Sequence, residues 1–311
     1  MGIPYPHNSA VIPISFATCS IRSESGAALP EKLKAIHSAG FDAVELTMPD
    51  ILAYGKVLNG EEPDASHYDA IVEVAKAVNS LAQAVNVGIL MLKPFVNSDG
   101  WKSGHHYSER KDMFEKVRGW LRVMEALGTD MLQIGPSDSE EDSNPVNDLA
   151  TDLAKLADMY RHNLGLCLNT FQIAGGEFGD PTTKTGLIEN ISRAELETCW
   201  RASLRELART VYAEKIFLLQ ISDAYKMDPP MEESKDGQGQ GPRSKWSNDY
   251  RPLPFDGGYL PVHDVLRAVL NTRFRGWLSI EVYDSKMLKD TDMEAFTKSA
   301  KDTLQNLLLF S

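Results

Sequence analysis

Six polar side chains stand near the carboxyl ends of strand-like stretches, and their types are suited to proton-transfer chemistry. They are Glu45, Lys93, Gln133, Asn169, Gln220 and Glu281. A carboxylate can take up or return a proton, whereas an ammonium or an amide can orient a substrate and polarise its oxygen atoms. If the strands deliver these groups to one mouth, the sequence predicts a small-molecule site that works by acid–base chemistry.

The elements that must position these residues are seven strand-like runs, each apolar and each followed by polar or turn-forming residues. In order they are ISFATCS, DAVELTM, VGILMLKP, DMLQIGP, LGLCLNTFQIAGG, FLLQISDA and WLSIEVYD. Helical patterns lie between them, and this order predicts a parallel sheet. Links after strands are longer than links before them, as in barrels whose sites are built by the loops that follow the strands. We therefore predict one TIM-type (β/α) barrel domain over residues 1–311, with seven recognisable parallel strands.

Alternation along each strand indicates which side chains share a face. In WLSIEVYD, Leu278 and Ile280 lie on an apolar face and Glu281 lies on the opposite one. The same division in the other strands puts all the polar residues on one side. Two carboxylates in a confined mouth, Glu45 and Glu281, need a cation or hydrogen-bond donors. A metal, Lys93 or a substrate would supply them; the alternative is a polar layer that satisfies its own hydrogen bonds.

Composition limits the partners. The formal net charge of -12 argues against binding to a nucleic-acid backbone. No run approaches the ~20 apolar residues of a membrane span, and the start MGIPYPHNSA lacks the pattern of a signal peptide. Three cysteines are too few and too far apart for a disulfide framework. We expect a cytoplasmic protein with a small-molecule substrate, and the sequence leaves a homodimer open.

Four stretches carry a family resemblance: LGLCLNTFQIAGGEFGDP, FLLQISDA, MLQIGPSDSE and GWLSIEVYD. Together they resemble the xylose isomerase-like TIM-barrel superfamily, which includes sugar isomerases and sugar epimerases. The likeness covers nearly the whole chain and points within the superfamily to fungal proteins similar to 3-dehydroshikimate dehydratase. It implies a lyase or isomerase that uses acid–base chemistry on a small hydroxylated carbonyl or carboxylate compound.

The resemblance also implies one divalent metal, usually Mn²⁺ or Mg²⁺, with four ligands at strand ends. The family's late Glu matches Glu281 and its His-or-Gln ligand matches Gln220, but its Asp position is Asn169 here. The His that the dehydratases use in proton transfer is replaced by Gln172. An amide oxygen is a weaker, neutral ligand for a hard cation. We therefore expect a degraded metal site, and a weakly bound ion and no ion are both left open.

The remaining Glu ligand of the family normally lies on a strand between the fourth and fifth strands of this chain. Only about thirty residues separate Gln133 from Asn169, enough for one helix but not for a helix, a strand and a second helix. One βα unit is therefore predicted to be missing. A deletion in the gene model and a natural seven-unit barrel are both left open.

The polar residues at the strand ends can be given catalytic roles. Glu281, with Glu45 as a second candidate, is the predicted base, and Asn169, Gln220 and Lys93 orient or polarise the substrate. We further predict that Lys93 compensates the charge of Glu281. The alternative is that Lys93 reaches the rim and only solvates its own charge.

Four further residues are assigned to substrate binding. Arg251, in DYRPLPFDGG, would bind a substrate carboxylate, or is a plain surface arginine. His105, next to His106, would act as a proton shuttle, or belongs to a solvated loop. Gln133 and Gln172 complete the set.

The sequence leaves two questions open, one about the segment 228–249 and one about the function of the protein. The segment 228–249, rich in Gly, Pro and charge, reads as a lid over the site or as a mobile surface loop. The competing function is a non-catalytic or repurposed barrel that has lost its metal and binds a small ligand. A small polar ligand should raise the melting temperature of a binding pocket, whereas a scaffold protein should show no such effect.

Overall fold

A computed structural model describes residues 12–21, 28–95, 107–135, 154, 158, 164–237, 239–285 and 292–309. The chain divides into two compact units. The first comprises Met1–Pro4, Ser23–His37 and Ala43–Leu164, and the second comprises Tyr5–Arg22, Ser38–Asp42 and Gly165–Ser311. Each unit has its own buried apolar side chains.

Helices lie between most consecutive strands in the described part of the chain, as the sequence predicts. The strands are β1 (Ile14–Ala17), β2 (Ala43–Thr47), β3 (Gly88–Phe95), β4 (Leu132–Ile134), β5 (Leu166–Asn169), β6 (Ile216–Ile221), β7 (Tyr250–Arg251), β8 (Trp277–Ile280) and β9 (Tyr283–Asp284). The helices are α1 (Leu29–Ser38), α2 (Met48–Asn59), α3 (Tyr68–Ala84), α4 (Tyr107–Leu127), α5 (Thr170–Glu177), α6 (Arg193–Thr210), α7 (Pro242–Asp249), α8 (Val262–Asn271) and α9 (Met293–Leu309).

The first unit contains three parallel strands in the order β4-β3-β2, with α2, α3 and α4 packed near them. Every residue of β2 is buried, which fits a strand covered on both faces. The ring of Phe95, at the end of β3, meets Trp120 of α4 edge to face with centroids 5.1 Å apart. These contacts anchor the strand ends that carry Glu45 and Lys93.

The second unit contains four parallel strands in the order β1-β8-β6-β5. Their register places Ser15 beside Ser279, Ser279 beside Gln220, and Gln220 beside Asn169. Because register neighbours share a face, this is one polar layer across four strands. Glu281 follows Ser279 by two residues and therefore extends the same face toward the carboxyl end of β8.

The fold class is confirmed by the strand count: the two units together hold the seven parallel strands predicted from the sequence. A small antiparallel pair, β7 with β9, was not predicted. The stretch between β4 and β5, where one βα unit is predicted to be missing, lies almost entirely outside the described residues. Among the described helices, none is long and apolar enough to cross a membrane.

Three helices were not predicted from the sequence. Helices α2 and α7 lie where loops were expected, and α5 begins within the run LGLCLNTFQIAGG, which was predicted as a strand. Helix α2 begins directly after β2: the Thr47 side chain accepts a hydrogen bond from the Asp50 N–H, Pro49 occupies the first turn, and Gly60 ends the helix with φ 82°. These are ordinary start and stop signals. Helix α7 lies inside the segment 228–249, and Pro242 occupies its first turn.

Candidate functional site

Asn169, Gln220 and Glu281 meet at the carboxyl ends of β5, β6 and β8. The Asn169 Nδ2 donates to Gln220 Oε1 at 3.2 Å and to Glu281 Oε2 at 2.7 Å. All three residues are buried. The structure therefore brings together the three residues that the sequence analysis assigned to the metal site, although they bind one another directly.

The amide of Asn169 is fixed by its position at the start of a helix. Its Oδ1 accepts the backbone N–H of Gln172 at 3.2 Å, so Asn169 is the N-cap of α5. The amide oxygen, which is the atom that would bind a metal, thus faces the helix, and the amide nitrogen faces Glu281. Asn169 acts in this arrangement as a hydrogen-bond donor to the carboxylate.

Arg251 is a cation that the structure pairs with Glu281. Strand β7 pairs Arg251 with Tyr283 of β9. The Arg251 Nη2 donates to Glu281 Oε2 at 2.6 Å and to the Glu281 carbonyl at 2.9 Å. Its Cζ lies 4.9 Å from the ring centre of Phe171 and 5.0 Å from that of Tyr283. Arg251 is only 3% exposed, so it is not the surface arginine that the sequence left as an alternative.

Ser222 is a member of this cluster that the sequence analysis did not identify. Its Oγ accepts from Arg251 Nε at 3.2 Å and from Arg251 Nη2 at 2.9 Å. Its backbone is held by Thr170, whose Oγ1 accepts the Ser222 N–H at 3.0 Å and donates to the Ser222 carbonyl at 2.7 Å. Ser222 could have been identified from the alternation of side chains in QIS, which puts Ser222 on the same face as Gln220 just beyond β6.

Asp223 follows Ser222 and was likewise not identified as a separate buried charge. Its Oδ1 accepts the N–H of Ala224 at 2.7 Å and of Leu260 at 2.9 Å. Burial raises the pKa of the Asp223 carboxyl to about 6, and the backbone N–H groups oppose that rise. A side chain at Gly258 would clash, because an added Cβ would lie 2.2 Å from Asp223 Cγ. Asp223 therefore ties the loop that precedes α8 to the end of β6.

The segment 228–249 is packed against α5 through α7. Trp246 is buried, donates its Nε1–H to the Tyr225 carbonyl at 2.9 Å, and meets Phe171 edge to face at 5.0 Å. Arg243 Nη1 donates to the Gly175 carbonyl at 2.6 Å. Helix α7 thus holds Phe171 and leads directly into β7, so this part of the predicted lid is the support that positions Arg251.

Glu45 and Lys93 form an ion pair in the first unit. Lys93 Nζ lies 2.8 Å from Glu45 Oε2, and both side chains are completely buried. Lys93 therefore does not reach a rim to solvate its charge, and its predicted pairing with Glu281 stays a prediction. The register explains the result, because β2 and β3 are direct neighbours that align Thr47 with Lys93 and Glu45 with Met91.

Three other predicted substrate-binding residues have different outcomes. The Gln172 side chain donates to Ser247 Oγ at 3.2 Å, so it joins α5 to α7. Gln133 is half-buried in β4. His105 lies outside the described residues. The substrate-binding roles of all three stay predictions.

A divalent metal does not fit the donor set of Asn169, Gln220 and Glu281. One carboxylate and two neutral amides are weak ligands for Mn²⁺ or Mg²⁺. Glu281 Oε2 is already bonded to a guanidinium and to an amide N–H. Within the described ranges, no group of three or more His, Cys, Asp or Glu side chains is arranged to hold a metal ion.

Comparison with known proteins gives the family and its relatives. The family described as xylose isomerase-like TIM barrel matches residues 33–307. A 3-dehydroshikimate dehydratase of Neurospora crassa is 26% identical over 92% of this chain and 88% of its own length. A 3-dehydroshikimate dehydratase of Pseudomonas aeruginosa is 28% identical over 87% of this chain, but the match spans only 38% of that protein.

Among solved structures, a fusion of a xylose isomerase-like TIM barrel with 4-hydroxyphenylpyruvate dioxygenase aligns with a TM-score of 0.66 and 19% identity. The alignment covers 96% of this chain and 43% of the fusion protein. At that identity the likeness concerns the fold alone, and it agrees with the seven parallel strands.

Proposed function

The chain belongs to the xylose isomerase-like TIM-barrel family, and we propose that it is a lyase that removes water from a small hydroxylated carbonyl compound of the 3-dehydroshikimate type. The observation that carries the proposal is the buried Glu281 carboxylate, held by Asn169 and Arg251. It lies in a chain that is 26% identical to a dehydratase over 92% of its residues. An isomerase acting on a similar compound would use the same proton transfer.

Loss of water next to a carbonyl group needs three functions. One group removes a proton from the carbon beside the carbonyl, a second stabilises charge on the carbonyl oxygen, and a proton must reach the departing hydroxyl. Glu281 is the group suited to the first and third functions, because Asn169, Gln172 and Gln220 carry amides that do not titrate. Asn169 and Gln220 fix the orientation of the Glu281 carboxylate through the Asn169 amide.

The test is an assay with purified protein and 3-dehydroshikimate, in which water loss is followed by the ultraviolet absorbance of the aromatic product. Glu281→Gln keeps the shape of the side chain but cannot transfer a proton, so it should lower kcat by about 100-fold or more. The matched control is Glu197→Gln on the exposed surface of α6, which should leave kcat unchanged. Wild-type turnover that survives Glu281→Gln would contradict the role of Glu281.

A second candidate function is a repurposed barrel that binds a small ligand without chemistry. It is favoured by Asn169 and Gln172, which stand where the resemblance places a carboxylate and a histidine. On this reading 3-dehydroshikimate raises the melting temperature by binding the folded state, while no product forms. The same assay therefore distinguishes the two functions.

The proposed compartment is the cytoplasm. The cysteines Cys19, Cys167 and Cys199 are not joined in disulfides, which suits a reducing environment. Fractionation of the source cells would test this directly, since the protein should be found with cytoplasmic enzymes.

A further inference from the structure

The guanidinium of Arg251 is fixed in one orientation but keeps one edge for a ligand. Its hydrogen bonds to Glu281 and Ser222 all leave from Nε and Nη2. The rings of Phe171 and Tyr283 lie within 5.0 Å of Cζ. Nη1 makes no hydrogen bond with the residues that the structure describes. A guanidinium has five N–H donors in a rigid plane, so the Nη1 donors are available to an oxygen of a bound molecule.

The same guanidinium lies where it would oppose a metal ion bound to Glu281 through Oε2. An ion bound to Glu281 Oε2 would lie beside Arg251 Nη2, which is 2.6 Å from that oxygen. Like charges repel strongly at such distances in a buried site. The two amides of Asn169 and Gln220 add no negative charge that would offset the repulsion.

On the basis of the proposed dehydratase function, we propose that Arg251 takes the place of the divalent metal expected from the resemblance. Its Nη1 binds the carbonyl oxygen of the substrate while Nη2 holds the Glu281 carboxylate. Nη1 and Nη2 belong to one planar group, so the carbonyl oxygen bound by Nη1 lies close to the Glu281 carboxylate held by Nη2. Arg251 and Glu281 therefore contact adjacent atoms of the substrate. Arg251 is thus a catalytic residue that stabilises charge on oxygen, and Ser222, Phe171 and Tyr283 are positioning residues.

The step balances without a metal. Glu281 takes the proton from the carbon beside the carbonyl, and the electron pair of that C–H bond moves toward the carbonyl oxygen, whose negative charge faces Arg251. The electron pair then returns to form the carbon–carbon double bond while the C–O bond to the neighbouring hydroxyl breaks. Glu281 gives the same proton to the departing oxygen, so one water leaves and Glu281 is again a carboxylate.

The test is a calorimetric titration of Mn²⁺ into full-length protein dialysed against EDTA. Three proteins are compared: wild type, Asn169→Asp, and Asn169→Asp combined with Arg251→Met. Wild type should not bind the ion. The double variant should bind Mn²⁺ about 100-fold more tightly than Asn169→Asp alone, because removal of the guanidinium relieves its repulsion of the ion.

Two results would overturn the proposal. One is stoichiometric Mn²⁺ binding by wild type that is lost in Glu281→Gln. The other is equal Mn²⁺ affinity of the single and double variants, both shown to be folded by near-ultraviolet circular dichroism. If the double variant does not fold, the wild-type titration still decides. If 3-dehydroshikimate is not turned over, the proposed function fails, whereas the titration still reports on the role of Arg251.

Discussion

A buried ion pair lies at strand ends in each unit, and these two pairs are built differently. In the first unit Lys93 and Glu45 are both 0% exposed. In the second unit Arg251 and Glu281 are 3% and 9% exposed, and they share contacts with Ser222, Asn169 and two aromatic rings. In the first pair the compact ammonium of Lys93 contacts a carboxylate. In the second pair the planar guanidinium of Arg251 has several N–H donors and forms hydrogen bonds with more than one neighbour.

From this difference we expect the first pair to contribute to stability and the second pair to contribute to ligand binding and catalysis. A fully sealed pair cannot meet a substrate without opening its strands, so Lys93 and Glu45 are expected to matter for folding. The Arg251–Glu281 pair keeps some exposure and the Nη1 donors of its guanidinium. The second unit is therefore where we expect substitutions to affect ligand binding and turnover more than stability.

The largest effect on stability should come from Lys93→Met. Removal of one partner leaves Glu45 buried without its ammonium, which should lower the free energy of unfolding by about 3–5 kcal/mol. Adding Glu45→Met should restore most of the loss because the two sites are coupled. Urea denaturation measures both variants, and Lys298→Met in the exposed Lys298–Asp302 pair is the control. A loss below about 1 kcal/mol would show that the first pair is not the structural one.

A smaller loss of stability is expected from Arg251→Met. The Asn169 amide still donates to Glu281 Oε2, so the expected cost is about 2 kcal/mol rather than that of an entirely unpaired buried charge. Ligand binding should suffer more than stability, and Arg251→Lys should restore stability better than turnover because lysine lacks the planar fork. Equal restoration of both would mean that only the charge of Arg251 matters.

Asp223 offers a buried carboxylate that is held by backbone N–H groups instead of a cation. Its pKa is raised to about 6 in the folded protein, so the folded state binds the proton more tightly than the unfolded state does. Stability from this group is therefore full below about pH 4 and falls as the pH rises to about 6, by about 3 kcal/mol.

The measurement is urea denaturation of wild type and Asp223→Asn between pH 4 and pH 7. The variant should lose this part of the pH dependence, while Asp302→Asn on the exposed face of α9 should keep it. An unchanged profile in Asp223→Asn would assign the dependence to another group.

The smallest effects should come from a matched pair of helix caps. Thr47 caps α2 and also donates to Asp50 Oδ2 at 2.7 Å, and Asp50 in turn pairs with Lys32 at 2.9 Å. Ser192 caps α6 through the Glu195 N–H alone. Thr47→Ala should cost about 1 kcal/mol and Ser192→Ala less. Thermal denaturation with the reverse order would show that the Lys32–Asp50 pair adds nothing to the cap.

The parallel strands and the polar face were predictable because alternation and short helix-to-strand links are local features of the sequence. Asn169, Gln220 and Glu281 came together as expected for neighbouring strands of one sheet. The pairing of Arg251 with Glu281 was not predictable, because it depends on the β7–β9 pairing, which the sequence did not indicate. Ser222 and Asp223 were missed because their roles depend on residues that lie 29 and 37 positions further along the sequence.

The role of Arg251 is decided by the rate at which EDTA-dialysed wild-type protein converts 3-dehydroshikimate, measured before and after addition of Mn²⁺. We expect turnover in the dialysed protein, no increase with Mn²⁺, and loss of turnover in Arg251→Met. Turnover that is absent after dialysis and returns with Mn²⁺ would show that a metal ion, and not Arg251, is the cation of the site.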